Sequence, residues 1–137
     1  MKMEKDRSER GFTLIELVVV IMIIAVLAAL SIPILRERTE QSKWAEGVAT
    51  AGTIRIALRA YYAQDPIAAA AMVGSTVDTV QVTLGFTAGD LTGRYFQADN
   101  FTITAIDGNG NVTITVTAPA GMTGSGVLNN TGWVYTP

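Results

Sequence analysis

The 137-residue chain has neither Cys nor His and carries 10 basic against 12 acidic side chains, a net charge of −2. These absences exclude disulfides and thiolate chemistry, and they remove the usual metal ligands and the commonest general base. No metal and no cofactor is expected, an enzyme is the least expected class, and nucleic acid is not indicated because there is no cationic field to attract it. The charge is nevertheless uneven: Lys2, Lys5, Arg7 and Arg10 crowd the start, whereas from Asp65 onward five Asp face a single Arg, Arg94. The length suits one modest domain with a basic leading end and an acidic remainder.

Residues 10–35 read RGFTLIELVVVIMIIAVLAALSIPIL, an apolar run with one carboxylate, Glu16, near its entry. At about 1.5 Å rise per residue, a helix over 17–35 approaches the ~30 Å hydrocarbon core of a bilayer. A secretory signal peptide would show a shorter apolar core and a small-residue cleavage site. Small residues do occur at Ala28, Ala29 and Ser31, but Ile32, Pro33, Ile34 and Leu35 carry the apolar run past them. The Lys/Arg bias puts the leading end in the cytoplasm, with Arg36 and Arg38 beyond the run weakening the asymmetry. A carboxylate within such a span is costly and marks a functional site by default.

The stretch Arg10-Gly11-Phe12-Thr13-Leu14-Ile15-Glu16-Leu17 resembles the class III cleavage and methylation signal of type IV prepilins and pseudopilins. There a short charged leader ends in Gly and a Phe follows. The resemblance implies an α+β fold in which a long N-terminal helix packs on a small antiparallel sheet. It implies that a membrane aspartyl peptidase, which is also the methyltransferase, cuts between Gly11 and Phe12 and N-methylates Phe12. Glu16 then becomes the fifth residue of the mature chain and the charge that guides subunit assembly. Pro33 falls where many pilins carry a helix-bending proline. The implied partners are identical subunits in a homopolymer, the prepilin peptidase, an inner-membrane assembly platform, and membrane lipid before assembly. The likeness covers about 50 residues from the start of the chain, since heads in this family vary widely.

The chemistry asks for these residue types on its own terms. A peptidase needs extended, accessible backbone, which Gly11 supplies where a helix is about to begin. Cleavage places a cationic amine on Phe12, and it could meet Glu16 four residues on or Glu16 of a neighbour, fixing register between subunits. The plainer reading has Glu16 resting at headgroup level. Pro33 removes one helical hydrogen bond and crowds the preceding turn, which is incidental in a lone anchor and useful in a filament whose helix opens.

Beyond the run, Trp44, Val48, Ala51, Ile54, Leu58 and Tyr61 or Tyr62 keep the spacing of one helical face. Arg55, Arg59, Glu40 and Glu46 are left to other faces or to helix partners. One helix is therefore expected from Phe12 to about Ala63, apolar all round at first and amphipathic after. Gly47 and Gly52 weaken it or permit close packing. Asp65-Pro66 ends it, because the residue before a proline leaves αR. The expected organisation is a leader over 1–11, a transmembrane or filament-core helix over 12–35, an amphipathic helix of the head over 36–64, and loop plus sheet over 65–137.

In the remainder, residues 67–73 favour a short helix and 77–84 read as strand or loop. Leu84-Gly85-Phe86 and residues 90–95 look like packed turns. Residues 101–104 and 112–117 alternate apolar residues with Thr, the period of half-buried strands, around the turn Asp107-Gly108-Asn109-Gly110-Asn111. Residues 132–135 form a last strand after a Gly/Asn-rich loop over 121–130, and the sheet is expected to cover the Trp44 to Tyr62 stripe. Asp107-x-Asn109-x-Asn111 opens like a calcium loop, but Ala118 stands where a bidentate acid is needed, so turn chemistry is expected. Asn100, Asn111 and Asn129 each begin an Asn-x-Thr triplet, a glycan acceptor pattern that a Thr-rich sheet also produces by chance. Tyr61, Tyr62 and Trp44 suit a core better than a path for electrons.

These readings converge on a structural subunit of a type IV pilus serving adhesion, motility or DNA uptake. It would be a single-pass protein of the inner membrane before it joins an extracellular filament. A pseudopilin of a type II secretion system, working in the periplasm, is the alternative within the family. A single-pass anchored binding module, with its leader uncut, is the alternative outside it.

Overall fold

A computed structural model describes residues 11–137, and the leader residues 1–10 lie outside the described part. A single helix, α1 (Leu14–Gln64), is followed by α2 (Pro66–Ala71), the one-turn α3 (Val77–Val80) and a 3₁₀ turn (Ala98–Asn100). Four strands close the chain: β1 (Phe101–Ile106), β2 (Val112–Thr117), β3 (Ser125–Asn129) and β4 (Gly132–Thr136). The α+β architecture expected from sequence is the one observed, a long N-terminal helix packed on a small antiparallel sheet. The chain divides into two compact units between Thr39 and Glu40.

In the first unit, α1 is apolar around its circumference, with a mean hydropathy of 3.1 in its most apolar window and none of that window buried within the chain. Such a helix has no stripe to lay on a core. Its hydroxyls are satisfied locally, Ser31 Oγ donating to the Leu27 carbonyl at 2.8 Å and Thr39 Oγ1 to that of Leu35 at 2.7 Å.

In the second unit, the later turns of α1 bury Trp44, Gly47, Ala51, Ile54 and Leu58 on one face. The sheet is a meander in the order β1-β2-β3-β4, each neighbour antiparallel. Its inner rows supply Phe101, Ile103, Val112, Ile114, Val116 and Leu128 to the same cluster. Thr104 sits at a bulge in β1, where it and Thr115 share a 2.6 Å hydroxyl hydrogen bond. Trp44 is the aromatic hub, 5.2 Å from Phe96, 5.9 Å from Trp133 and 5.1 Å from Tyr135 between ring centroids.

Helix α1 stops where the Asp65-Pro66 pair demands. Asp65 then caps α2, its Oδ1 accepting from the N–H groups of Ile67 at 3.1 Å and Ala68 at 2.9 Å. Two segments differ from the sequence reading. Residues 77–84, read as strand or loop, form the single turn α3 and a run of turns, with Val77 buried. Residues 125–129, read as part of a loop, form β3. Its Gly126 is buried because the Trp133 ring of β4 occupies the place a Cβ would take, so the glycine that breaks the strand pattern is what admits the ring.

The Asp107 turn forms as expected. Oδ1 accepts from the N–H groups of Asn109 (2.9 Å) and Asn111 (2.8 Å), and Oδ2 from Asn111 Nδ2 (2.7 Å). Those bonds, led by Asn111, hold the Asp107 carboxyl below its ordinary value, with the Arg59 charge contributing.

A second anchor joins elements far apart in sequence. Glu46 Oε1 accepts from the N–H groups of Tyr95 at 2.8 Å and Phe96 at 2.9 Å, drawing residues 93–96 onto the helix. Partial burial pushes the Glu46 carboxyl upward, but the N–H donors of residues 94–96 and the Arg94 charge outweigh it, so it titrates below its ordinary 4.5.

Candidate processing and assembly segment

The first described residues, Gly11, Phe12 and Thr13, precede the helix. Phe12 is 87 % exposed. A Cβ at Gly11 would meet no atom of the described residues within 4 Å. Nothing among the described residues requires a glycine at 11.

Helix α1 then starts on a reciprocal cap. Glu16 N–H donates to Thr13 Oγ1 at 3.3 Å, while Glu16 Oε2 accepts from Thr13 N–H at 2.8 Å and from Thr13 Oγ1 at 2.8 Å. Two otherwise unpaired backbone donors of the first turn are satisfied, and a negative charge lies at the positive end of the helix dipole. Thr13 is thus a working residue of the segment that charge and hydropathy alone pass over. Its signal is in the sequence, since Thr13-Leu14-Ile15-Glu16 is the S/T-x-x-E capping pattern.

Only one of the two carboxylate oxygens accepts from Thr13. The large side chains that follow are exposed, among them Leu14, Ile15, Leu17, Ile21, Ile24 and Leu27. Pro33 lies inside α1, which continues through it as one helix. Lacking an N–H, it leaves the carbonyl of Ala29 without its usual helical donor. The structure therefore joins Glu16 to Thr13 through hydrogen bonds, places Gly11 and Phe12 immediately before that cap, and sets Pro33 further along the same apolar cylinder. Among the described residues no group of three or more acidic side chains is placed to hold a metal.

A family profile described as the prokaryotic N-terminal methylation motif matches residues 6–32. The chain is 33 % identical over 93 residues to the fimbrial protein EcpC of Eikenella corrodens, an alignment covering 61 % of each protein. It is 46 % identical over 48 residues to the type IV major fimbrial protein FimA of Dichelobacter nodosus, covering 35 % of this chain and 30 % of that one. The chain thus spans less than two thirds of either relative. No solved structure matches it at comparable significance. The chain thus carries the prokaryotic N-terminal methylation motif at the start of an exposed apolar helix, and over part of its length it is similar to two fimbrial proteins.

Proposed function

We propose that the chain is a structural subunit of a type IV pilus, cleaved after Gly11, N-methylated at Phe12 and polymerised through the N-terminal part of α1. The observation that carries this reading is the apolar surface of α1, exposed on every side and covered by none of the other described residues. In hydrocarbon such a surface is at home, and in a filament it meets copies of itself. The precursor crosses the inner membrane once with its basic leader inside, and the subunit later leaves for an extracellular filament through an inner-membrane assembly platform.

The demand for Gly11 comes from outside the fold, which supports recognition by a prepilin peptidase. Glu16 guides assembly: Oε2 is held by Thr13, and Oε1, which accepts no hydrogen bond among the described residues, receives the amine that cleavage creates on Phe12 of a neighbouring subunit. Residues 12–35 are the filament core, 36–64 the amphipathic helix of the head, and 65–137 its loop and sheet. The names of both relatives favour a pilus over a secretion pseudopilus.

Mass spectrometry of the mature N-terminus tests the reading. The expected result is a chain starting at N-methylated Phe12, in sheared extracellular filaments. Retention of Met1 overturns it and leaves a membrane-anchored head.

A further inference from the structure

Three Asn-x-Thr triplets, beginning at Asn100, Asn111 and Asn129, have no part in the function proposed above. The fold treats them differently. Between Asn100 and Thr102 lies Phe101, fully buried at the start of β1, and Thr102 is paired with Thr115 on one side and bridged to Thr76 on the other. Between Asn111 and Thr113 lies Val112, buried at the start of β2, and Asn111 Nδ2 is spent on Asp107 Oδ2 at 2.7 Å. Presenting either triplet to an enzyme means pulling a core residue out of the sheet.

Asn129-Asn130-Thr131 is instead the tip of the β3–β4 hairpin. Asn130 and Thr131 are both exposed and lie outside the strands, and Asn129 is half-buried. Its Oδ1 accepts three hydrogen bonds, from Thr131 N–H at 2.9 Å, Thr131 Oγ1 at 2.7 Å and Gly132 N–H at 3.1 Å. Two of these donors are backbone N–H groups, so the atom they meet is the amide oxygen and not the nitrogen. Asn129 Nδ2 donates to none of the described residues, and among those residues no buried side-chain nitrogen or oxygen lacks a partner, so Nδ2 reaches solvent. The Asn129 backbone is pinned meanwhile, its carbonyl accepting from Arg55 Nη1 at 2.9 Å. A tight turn asks only for the side-chain oxygen, which Asp supplies as well. The open amide nitrogen and the hydroxyl two residues on are left over from that account.

We propose that Asn129 is an acceptor for N-linked glycosylation, taking a saccharide from a lipid-linked diphosphate donor. This rests on reading the head as lying beyond the inner membrane, out of reach of the cytoplasmic nucleotide sugars. An amide nitrogen is a poor nucleophile because its lone pair is shared with the carbonyl. As Nδ2 gives a proton to a base of the transferase, negative charge develops on Oδ1, where three donors already stand. Nδ2 bonds to the anomeric carbon of the donor, the bond from that carbon to the diphosphate oxygen breaks, and the diphosphate leaves with its electron pair.

Peptide mass spectrometry of full-length chain from sheared filaments tests the assignment. The peptide containing Asn129 carries a saccharide, and release by a glycan amidase in heavy-oxygen water leaves a labelled aspartate in its place. Peptides containing Asn100 and Asn111 are bare. Thr131→Ala abolishes the modification and Thr131→Ser keeps it, whereas Asn100→Gln and Asn111→Gln leave it unchanged. Thr131 is exposed at a turn, so the Ala variant still assembles and its loss of saccharide is not a loss of fold. Washed membranes of the producing cells modify the detergent-solubilised chain without added nucleotide sugar; a need for that sugar keeps the site and overturns the lipid carrier. Filaments with a bare Asn129 overturn the site and leave the pilus reading intact. A saccharide at Asn129 on a chain that keeps Met1 and builds no filament does the reverse, and a bare Asn129 on such a chain overturns both.

Discussion

The two parts of α1 obey opposite rules. Before residue 36 the helix buries nothing among the described residues, where its one early carboxylate is engaged with the neighbouring Thr13. After residue 40 its apolar face is buried at Trp44, Ala51, Ile54 and Leu58, and two of its charged side chains, Glu46 and Arg55, hold backbone groups distant in sequence. The later part is explained by the chain it belongs to. The early part is not explained by the described remainder of the chain; under the proposed function its surroundings are lipid and then other subunits. A substitution in one part should therefore be silent in the assay that exposes a substitution in the other.

The largest expected effect falls on Glu16. Glu16→Ala removes both the charge and the cap, and filaments become sparse or absent while cleavage after Gly11 proceeds. Glu16→Gln divides the two roles, since its amide oxygen still accepts from Thr13 while the charge is gone. If the charge directs assembly, electron microscopy of Gln-variant cells shows the same loss as Ala. Wild-type filament numbers with Gln, beside loss with Ala, would reduce Glu16 to a helix cap. Thr13→Ala completes the set: it weakens the helix start by about 1 kcal/mol and leaves filaments in place.

Next come identical truncations in the two parts. Leu58 is fully buried, so Leu58→Ala should destabilise the head by about 2–5 kcal/mol in detergent-solubilised protein, read by thermal melting of its aromatic signal. Leu27 is 59 % exposed, and Leu27→Ala should leave that melting transition unmoved. A head destabilised by Leu27→Ala would end the division drawn between the parts.

Smaller still is the loss of the Glu46 anchor. Glu46→Ala leaves the N–H groups of Tyr95 and Phe96 without their acceptor and should cost about 1–3 kcal/mol. The same contact predicts a pH dependence. The folded-state carboxyls of Glu46 and Asp107 titrate below their ordinary values, 4.5 and 3.8. Their contribution is therefore complete above the ordinary carboxylate range and disappears as pH falls through the lowered folded values. Acid melting of the wild-type head should begin below about pH 4.5, and Glu46→Ala should flatten that dependence. An Ala variant as acid-sensitive as wild type would remove Glu46 from the account.

The sequence made some of this legible and hid the rest for identifiable reasons. Alternation of Thr with Val and Ile revealed β1 and β2, because one wet and one dry face leave a period of two. β3 was hidden because Gly126 and the Ser, Gly and Asn around it read as loop; its place depends on the Trp133 ring across the sheet, which no local window contains. Residues 77–84 misled for the reverse reason, since β-branched residues there favour strand while tertiary packing of Val77 folds a single turn. In the assembly segment, Gly11, Phe12, Glu16 and Pro33 were visible as a motif and a broken apolar run. Thr13 was visible too, but only to a reading that asks where the first backbone donors of a helix go. The Glu46 anchor was invisible, because its partners lie about fifty residues away and are backbone groups.

The finest test sits on α1 itself, where two glycines five residues apart face different surroundings. A Cβ at Gly52 would meet nothing within 4 Å, so Gly52→Ala should gain the helix preference of Ala and stabilise the subunit by up to about 1 kcal/mol. A Cβ at Gly47 would lie 3.0–3.2 Å from three atoms of the Phe96 ring, which is itself fully buried and pinned by the Glu46 bond to its own N–H. The ring has little room to retreat, and overpacking of this kind typically costs about 1–3 kcal/mol, more than the propensity returns. Gly47→Ala should therefore lower the melting temperature and Gly52→Ala raise it. If both raise it, Phe96 yields more easily than its burial implies, and the loop over 93–96 is a softer part of the head than the Glu46 anchor suggests.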